Sequence, residues 1–156
     1  MTDTTDATEL ILPEFVLLGL EAPDRHEAAR RLAATLAAAG RVTDLDGFLA
    51  DVRAREAQMP TGIEGGIGIP HARSAHVTAP SLAFGRSTGG IDFGAGDGPA
   101  HLIFLIAAPD GGDAAHMRIL AALARRLVHE SFRGALLEAP DPQSVVDIVT
   151  KEVLAR

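Results

Sequence analysis

The chain has 156 residues, 47% of them apolar, and a formal net charge of −7. That length suits one domain with a real core, and the acidic balance argues against nucleic-acid binding, which needs basic groups to neutralise phosphates. The absence of cysteine removes disulfides, thiolate catalysis and cysteine-based zinc sites.

Residues 1–9, MTDTTDATE, are acidic and polar, without the basic and apolar regions of a signal peptide. We read them as a disordered or frayed tail and residues 10–156 as the domain. No apolar run approaches the ~20 residues of a membrane span. With no Trp and no Tyr, the core is expected to consist of Leu, Ile, Val and Ala.

LILPEFVLLGLEA reads as one or two short strand pieces broken by Pro13. DRHEAARRLAATLAAAG predicts a helix: Asp24 is its N-cap with Glu27 three residues on. Ala28, Leu32, Leu36 and Ala39 form its stripe, and Gly40 ends it. TDLDGFLADVRAREAQM predicts a second helix with Leu45, Phe48, Leu49 and Val52 on one face, closed by Pro60. A glycine-rich stretch follows, and SLAFGRS suits a strand. HLIFLIAAP is apolar on both faces, as in a central covered strand. DAAHMRILAALARRLVH predicts a helix with Asp113 as N-cap. SFRGALLEA and DPQSVVDIVTKEVLAR add two helices, Pro142 fitting the first position of the last. Strands and helices mix throughout, which gives an α/β class.

The stretch GIEGGIGIPHAR sets His71 behind four glycines and a proline. Glycines bring backbone amides close to a ligand, and consecutive amides can form an anion nest. Pro70 fixes the backbone before the ring. A neutral imidazole with one nitrogen held by a carbonyl is a good phosphoryl nucleophile. The same residues also suit an ordinary turn carrying an exposed histidine, and spacing alone favours that turn. The stretch matches neither GxxxxGK[ST] nor GxGxxG.

His116 falls early in the helix after HLIFLIAAP, where open α/β sheets bind ligands and a helix N-terminus attracts anions. It reads equally as a capping or half-buried histidine. Arg55 and Arg73 have the fork that matches phosphate oxygens, although most arginines are solvated surface groups. Thr61 has a hydroxyl to donate or to cap with. His26, His101 and His129 read as structural or exposed. A metal-dependent hydrolase using His71, His76 and His116 is an alternative from another class. The absence of HExxH and of a dense carboxylate cluster weighs against metal, and no cofactor is expected.

Three pieces, TGIEGGIGIPHAR, GGIDFGAGDGPAHLIFLIAAP and HMRILAALARRL, in this order and spacing, resemble the type-2 enzyme IIA domain of the bacterial phosphotransferase system, the fructose/mannitol class, and its fructose type most. The resemblance runs from about Leu10 to the C-terminus. It implies a mixed, mostly parallel sheet with helices on both faces. It implies that His71 takes a phosphoryl group from the phosphocarrier protein HPr, or an HPr-like domain, and passes it to a cysteine of a IIB domain serving a permease for fructose or a related sugar. His116 then neighbours the phosphoryl group. Arg55, of the RE pair, and Thr61, of the threonine-glycine pair, help hold phosphate. A cytoplasmic protein, peripheral to the membrane only through the permease, follows from the same resemblance. The sequence departs from the fuller pattern at Gly65, where relatives often carry His or Asn. A nitrogen-related regulatory IIA protein, phosphorylated on the same histidine but acting by protein binding, is the second reading. Docking of partners is expected around Met59, Ile63, Ile67 and Ile69. No IIB or IIC sequence is present, so the domain acts as a subunit or comes from a longer chain.

Overall fold

The computed structural model describes residues 10–110 and 115–154. Residues 1–9 and Asp113, read above as a tail and a helix cap, lie outside them. Among the described residues six strands form one mixed sheet: β1 (Val16–Leu17), β2 (Gly62–Ile63), β3 (Ile67–Gly68), β4 (His71–Ser74), β5 (Ser81–Ile91) and β6 (Ala100–Pro109). Their order is β1-β5-β6-β3-β2, with β4 also on β6. The pairs β1–β5, β3–β6 and β4–β6 are parallel; the long β5–β6 pair and the short β2–β3 hairpin are antiparallel.

Helices α1 (Arg25–Ala38) and α2 (Leu45–Gln58) cover one face. Helices α3 (Ala115–Leu127), α4 (Glu130–Glu138) and α5 (Pro142–Val149) cover the other. A π-helical turn, Thr150–Leu154, extends α5, and a 3-10 turn at Pro13–Phe15 replaces part of the strand expected around Pro13. Pro13 fixes the φ that a tight turn needs, and this shortens the strand to two residues.

Caps explain the helix starts. The Asp24 carboxylate accepts from Glu27 N at 2.8 Å, and Asp44 does the same for Gly47 N at 3.1 Å. Asp141 caps α5 through Ser144 N at 2.8 Å, with Pro142 next to it at the first helical position. The C-terminal end of α4 is closed from the sheet: Arg86 Nη1 on β5 donates to the carbonyls of Leu136, Leu137 and Ala139. A cation belongs at that end of a helix dipole.

β6 divides the core by alternation. Ile103, Leu105 and Ala107 pack beneath α1 and α2. Leu102, Phe104 and Ile106 pack beneath α3, α4 and α5. Phe104 stacks in a tilted pair with Phe84, ring centroids 5.1 Å apart. β6 is thus the covered central strand that its unbroken apolar run predicts.

Candidate functional site

His71 opens β4 and is half-buried. β3 and β4 are one strand with an interruption. Ile67 pairs with Leu102 and His71 with Ile106, so the register against β6 is the same on both sides of the gap. Pro70 sits in that gap. It has no N–H to give, and its carbonyl accepts from Ile106 N at 3.1 Å.

Alternation then chooses the face. Ile67, Ile69 and Ile106 lie in the cluster under α3–α5, and Ala72 lies in the cluster under α1 and α2. His71 and Arg73 therefore project from the α3–α5 side, and Arg73 is exposed there. β6 ends at Pro109, and α3 begins at Ala115 on that same face. His116 is the second residue of α3, and its side chain lies outside the described residues. His116 thus lies on the helix that follows β6, and His71 at the first position of the strand beside it.

The His71 ring is held on one side. Nδ1 lies 2.8 Å from Ile69 O. A carbonyl oxygen only accepts, so the neutral ring carries its proton on Nδ1 and presents the Nε2 lone pair. Ile69 is tied in turn, its N donating to Thr61 O at 3.1 Å. Thr61 is held twice by Glu56: its N donates to Oε2 at 2.8 Å and its hydroxyl to Oε1 at 2.7 Å. Arg25 Nη1 donates to the same Oε2 at 3.1 Å.

Several expectations change. The Thr61 hydroxyl proton is committed to Glu56, which leaves it none for a phosphate oxygen. Thr61 is buried, as are Ile67 and Ile69, so those isoleucines are core rather than docking surface. Met59 and Ile63 are exposed, at 64% and 40%. Arg55 is half-buried on α2, and its Nη1 donates to Met59 O at 3.2 Å. Among the described residues no hydrogen bond or ion pair joins Arg55 to His71.

The glycines act mainly on the backbone. Gly65 and Gly66 take φ of +102° and +78° in the β2–β3 turn, a region that disfavours side chains with a Cβ. Gly62 N bonds Phe93 O at 2.9 Å and Gly65 N bonds the Asp97 carboxylate at 3.0 Å. With Ile69 N also occupied, these three amides do not form the anion nest considered from sequence.

The remaining histidines are scattered. His26 and His129 are exposed, and His101 Nδ1 lies 2.8 Å from Ser87 O. His76 Nδ1 is 4.0 Å from Asp44 Oδ2 at the start of α2. Among the described residues no three His, Cys, Asp or Glu side chains converge as metal ligands. No helix among them is long and apolar enough to cross a membrane.

Glu56 is the residue that sequence reading passes over. The apolar stripe Phe48, Leu49 and Val52 continues at helical spacing to Glu56, which is 7% exposed. A carboxylate on a buried stripe signals a partner in the fold.

A family model described as "Phosphoenolpyruvate-dependent sugar phosphotransferase system, EIIA 2" matches residues 9–152. A fructose-specific EIIA component of Haloferax volcanii is 43% identical over 153 residues, spanning 97% of this chain and 99% of that protein. A fructose-specific EIIABC component of Bacillus subtilis is 37% identical over 145 residues, 92% of this chain and 23% of that protein. The chain is thus about as long as the first relative and under a quarter of the second. The crystal structure of nitrogen regulatory protein IIA-Ntr from Neisseria meningitidis superposes with a TM-score of 0.83 at 26% identity, covering 91% of this chain and 97% of that one.

Proposed function

The chain belongs to the EIIA type-2 family of the phosphoenolpyruvate-dependent sugar phosphotransferase system, and on that premise we propose that His71 is its phosphoryl acceptor and donor. The observation that carries the reading is the Nδ1 contact with Ile69 O, because it leaves Nε2 as the nucleophilic nitrogen. Nε2 attacks the phosphorus of a phosphohistidine on HPr or an HPr-like domain. The donor's P–N bond breaks and its imidazole keeps the electron pair. In the second step a IIB cysteine thiolate attacks the same phosphorus, and the bond to Nε2 breaks with its pair returning to the ring. The Nδ1 proton stays in place throughout. Such transfer asks the protein mainly to align partners and stabilise the equatorial oxygens.

His116 at the start of α3 is the proposed neighbour of the phosphoryl group, supported by the shared face and strand end. Arg55 is proposed to swing from Met59 O to the phosphate, and Arg73 adds positive charge on His71's own face. Exposed Met59 and Ile63 supply apolar contact for small, transient partner interfaces. Fructose or a related sugar is the proposed cargo, supported by the fructose-specific relatives, and the proposed location is the cytoplasm.

The test is incubation with phosphoenolpyruvate, enzyme I and HPr. A mass gain that is acid-labile, base-stable and absent in His71→Ala is expected; no gain, or one that persists in that variant, overturns the reading. The likeness to a nitrogen regulatory IIA fold favours one second reading, phosphorylation on His71 with signalling by protein binding. Delivery of the phosphate to a fructose-type IIB domain selects transport; a stable IIA that phosphorylates no IIB selects regulation.

A further inference from the structure

We propose that Glu56, acting through Thr61, is a positioning residue that sets the tautomer and direction of the His71 ring from the opposite face of the sheet. The proposal rests on His71 as the phosphoryl acceptor. A continuous set of contacts carries it: Arg25 to Glu56, Glu56 to both polar groups of Thr61, Thr61 O to Ile69 N, and Ile69 O to His71 Nδ1.

Each link restricts the next. Arg25 Nη1 bonds Glu56, and its Nη2 also lies 3.6 Å from Asp92. Glu56 grips Thr61 by backbone and hydroxyl together, which fixes where the Thr61 carbonyl points. That carbonyl holds Ile69 by its N–H, and the buried Ile69 side chain anchors the residue in the core. On its other side Ile69 precedes Pro70, which confines it to extended backbone. Held at both ends, the Ile69 carbonyl has one direction, and the ring follows it.

The arrangement has a chemical use. A ring with its proton on Nε2 has no lone pair there for phosphorus. A ring turned away by about 1 Å is out of line, and misplacement of that size costs ~100-fold in rate. Glu56 is a positioning residue because it reaches His71 only through Thr61 and Ile69.

The experiment compares Glu56→Gln, Thr61→Val and Thr61→Ser with the parent. Long-range proton–nitrogen NMR reads the His71 tautomer, and transfer from phosphorylated HPr reads the rate. Glu56→Gln replaces one accepting oxygen by a donor; Thr61→Val removes the hydroxyl at constant shape and serves if Glu56→Gln does not fold. We expect a measurable Nε2–H population and at least ~10-fold slower transfer in Glu56→Gln and Thr61→Val, with both restored in Thr61→Ser. A folded Thr61→Val with the parental tautomer and rate overturns the proposal. Slower transfer with the parental tautomer also overturns it, since that pattern assigns Thr61 to phosphate contact. If the parent itself accepts no phosphoryl group, the functional reading fails, while the tautomer measurement still decides the positioning role.

Discussion

The two faces of the sheet are built differently. Beneath α3–α5 the packing is apolar, from Leu102, Phe104 and Ile106 to Val145 and Val149, with Arg86 tying the sheet to the end of α4, and His71 projects from that side. Beneath α1 and α2 an equally apolar core is bordered by polar ties at least partly buried: Arg25–Glu56–Thr61, and Ser74 Oγ donating to Asp51 at 2.6 Å. The hydrogen bonds that run from a helix to the His71 ring start on the α1–α2 face, through Glu56, Thr61 and Ile69. Apolar packing has no direction, so orientation of an imidazole has to come from the polar side.

Four substitutions test that division. Phe104→Ala removes a fully buried ring stacked on Phe84. It is expected to lower stability by about 3–5 kcal/mol in urea unfolding, while the folded protein keeps its His71 tautomer. A changed tautomer in that variant breaks the comparison, because the apolar face then also orients the ring.

Glu56→Ala strands the buried Thr61 N–H and hydroxyl and leaves Arg25 without its inner partner. About 2–3 kcal/mol of stability is expected to go, less than for Phe104→Ala, yet phosphoryl acceptance should suffer more. Arg86→Ala uncaps the three carbonyls at the end of α4. The expected loss is about 1–2 kcal/mol, with transfer unaffected; slowed transfer shows that α4 bears on the site.

The smallest effect belongs to Asp141, whose carboxyl is held below its ordinary value by the Ser144 hydroxyl and then by the Ser144 backbone N–H. A lowered folded pKa stabilises the fold above the unfolded value and is lost as pH falls through the folded one. The melting-temperature gap between the parent and Asp141→Ala should therefore be full at neutral pH and close below the ordinary 3.8. A gap constant down to strong acid removes the charge from that cap.

Much of this fold is legible in the sequence because its signals are local. Asp24 and Pro142 mark helix starts by chemistry that acts within one turn. The apolar run of β6 states its coverage on both faces. Family membership is legible from three motifs in order, although the sequence alone leaves His71 poised between turn and nucleophile. Ile67 and Ile69 read as surface because the resemblance asks for apolar partner docking around His71. Ile67 is buried by pairing with β6 and Ile69 by packing in the same cluster, and β6 lies far along the chain.

By itself, then, the sequence determined an α/β domain, the helix starts at Asp24 and Pro142, and its family. Only the tertiary structure decided which nitrogen of His71 is free, why Thr61 is buried and what the Glu56 carboxylate holds. Capping and propensity act over a few residues. The tautomer depends on a carbonyl whose direction is set by contacts between α1, α2 and two strands, and no local pattern encodes that meeting.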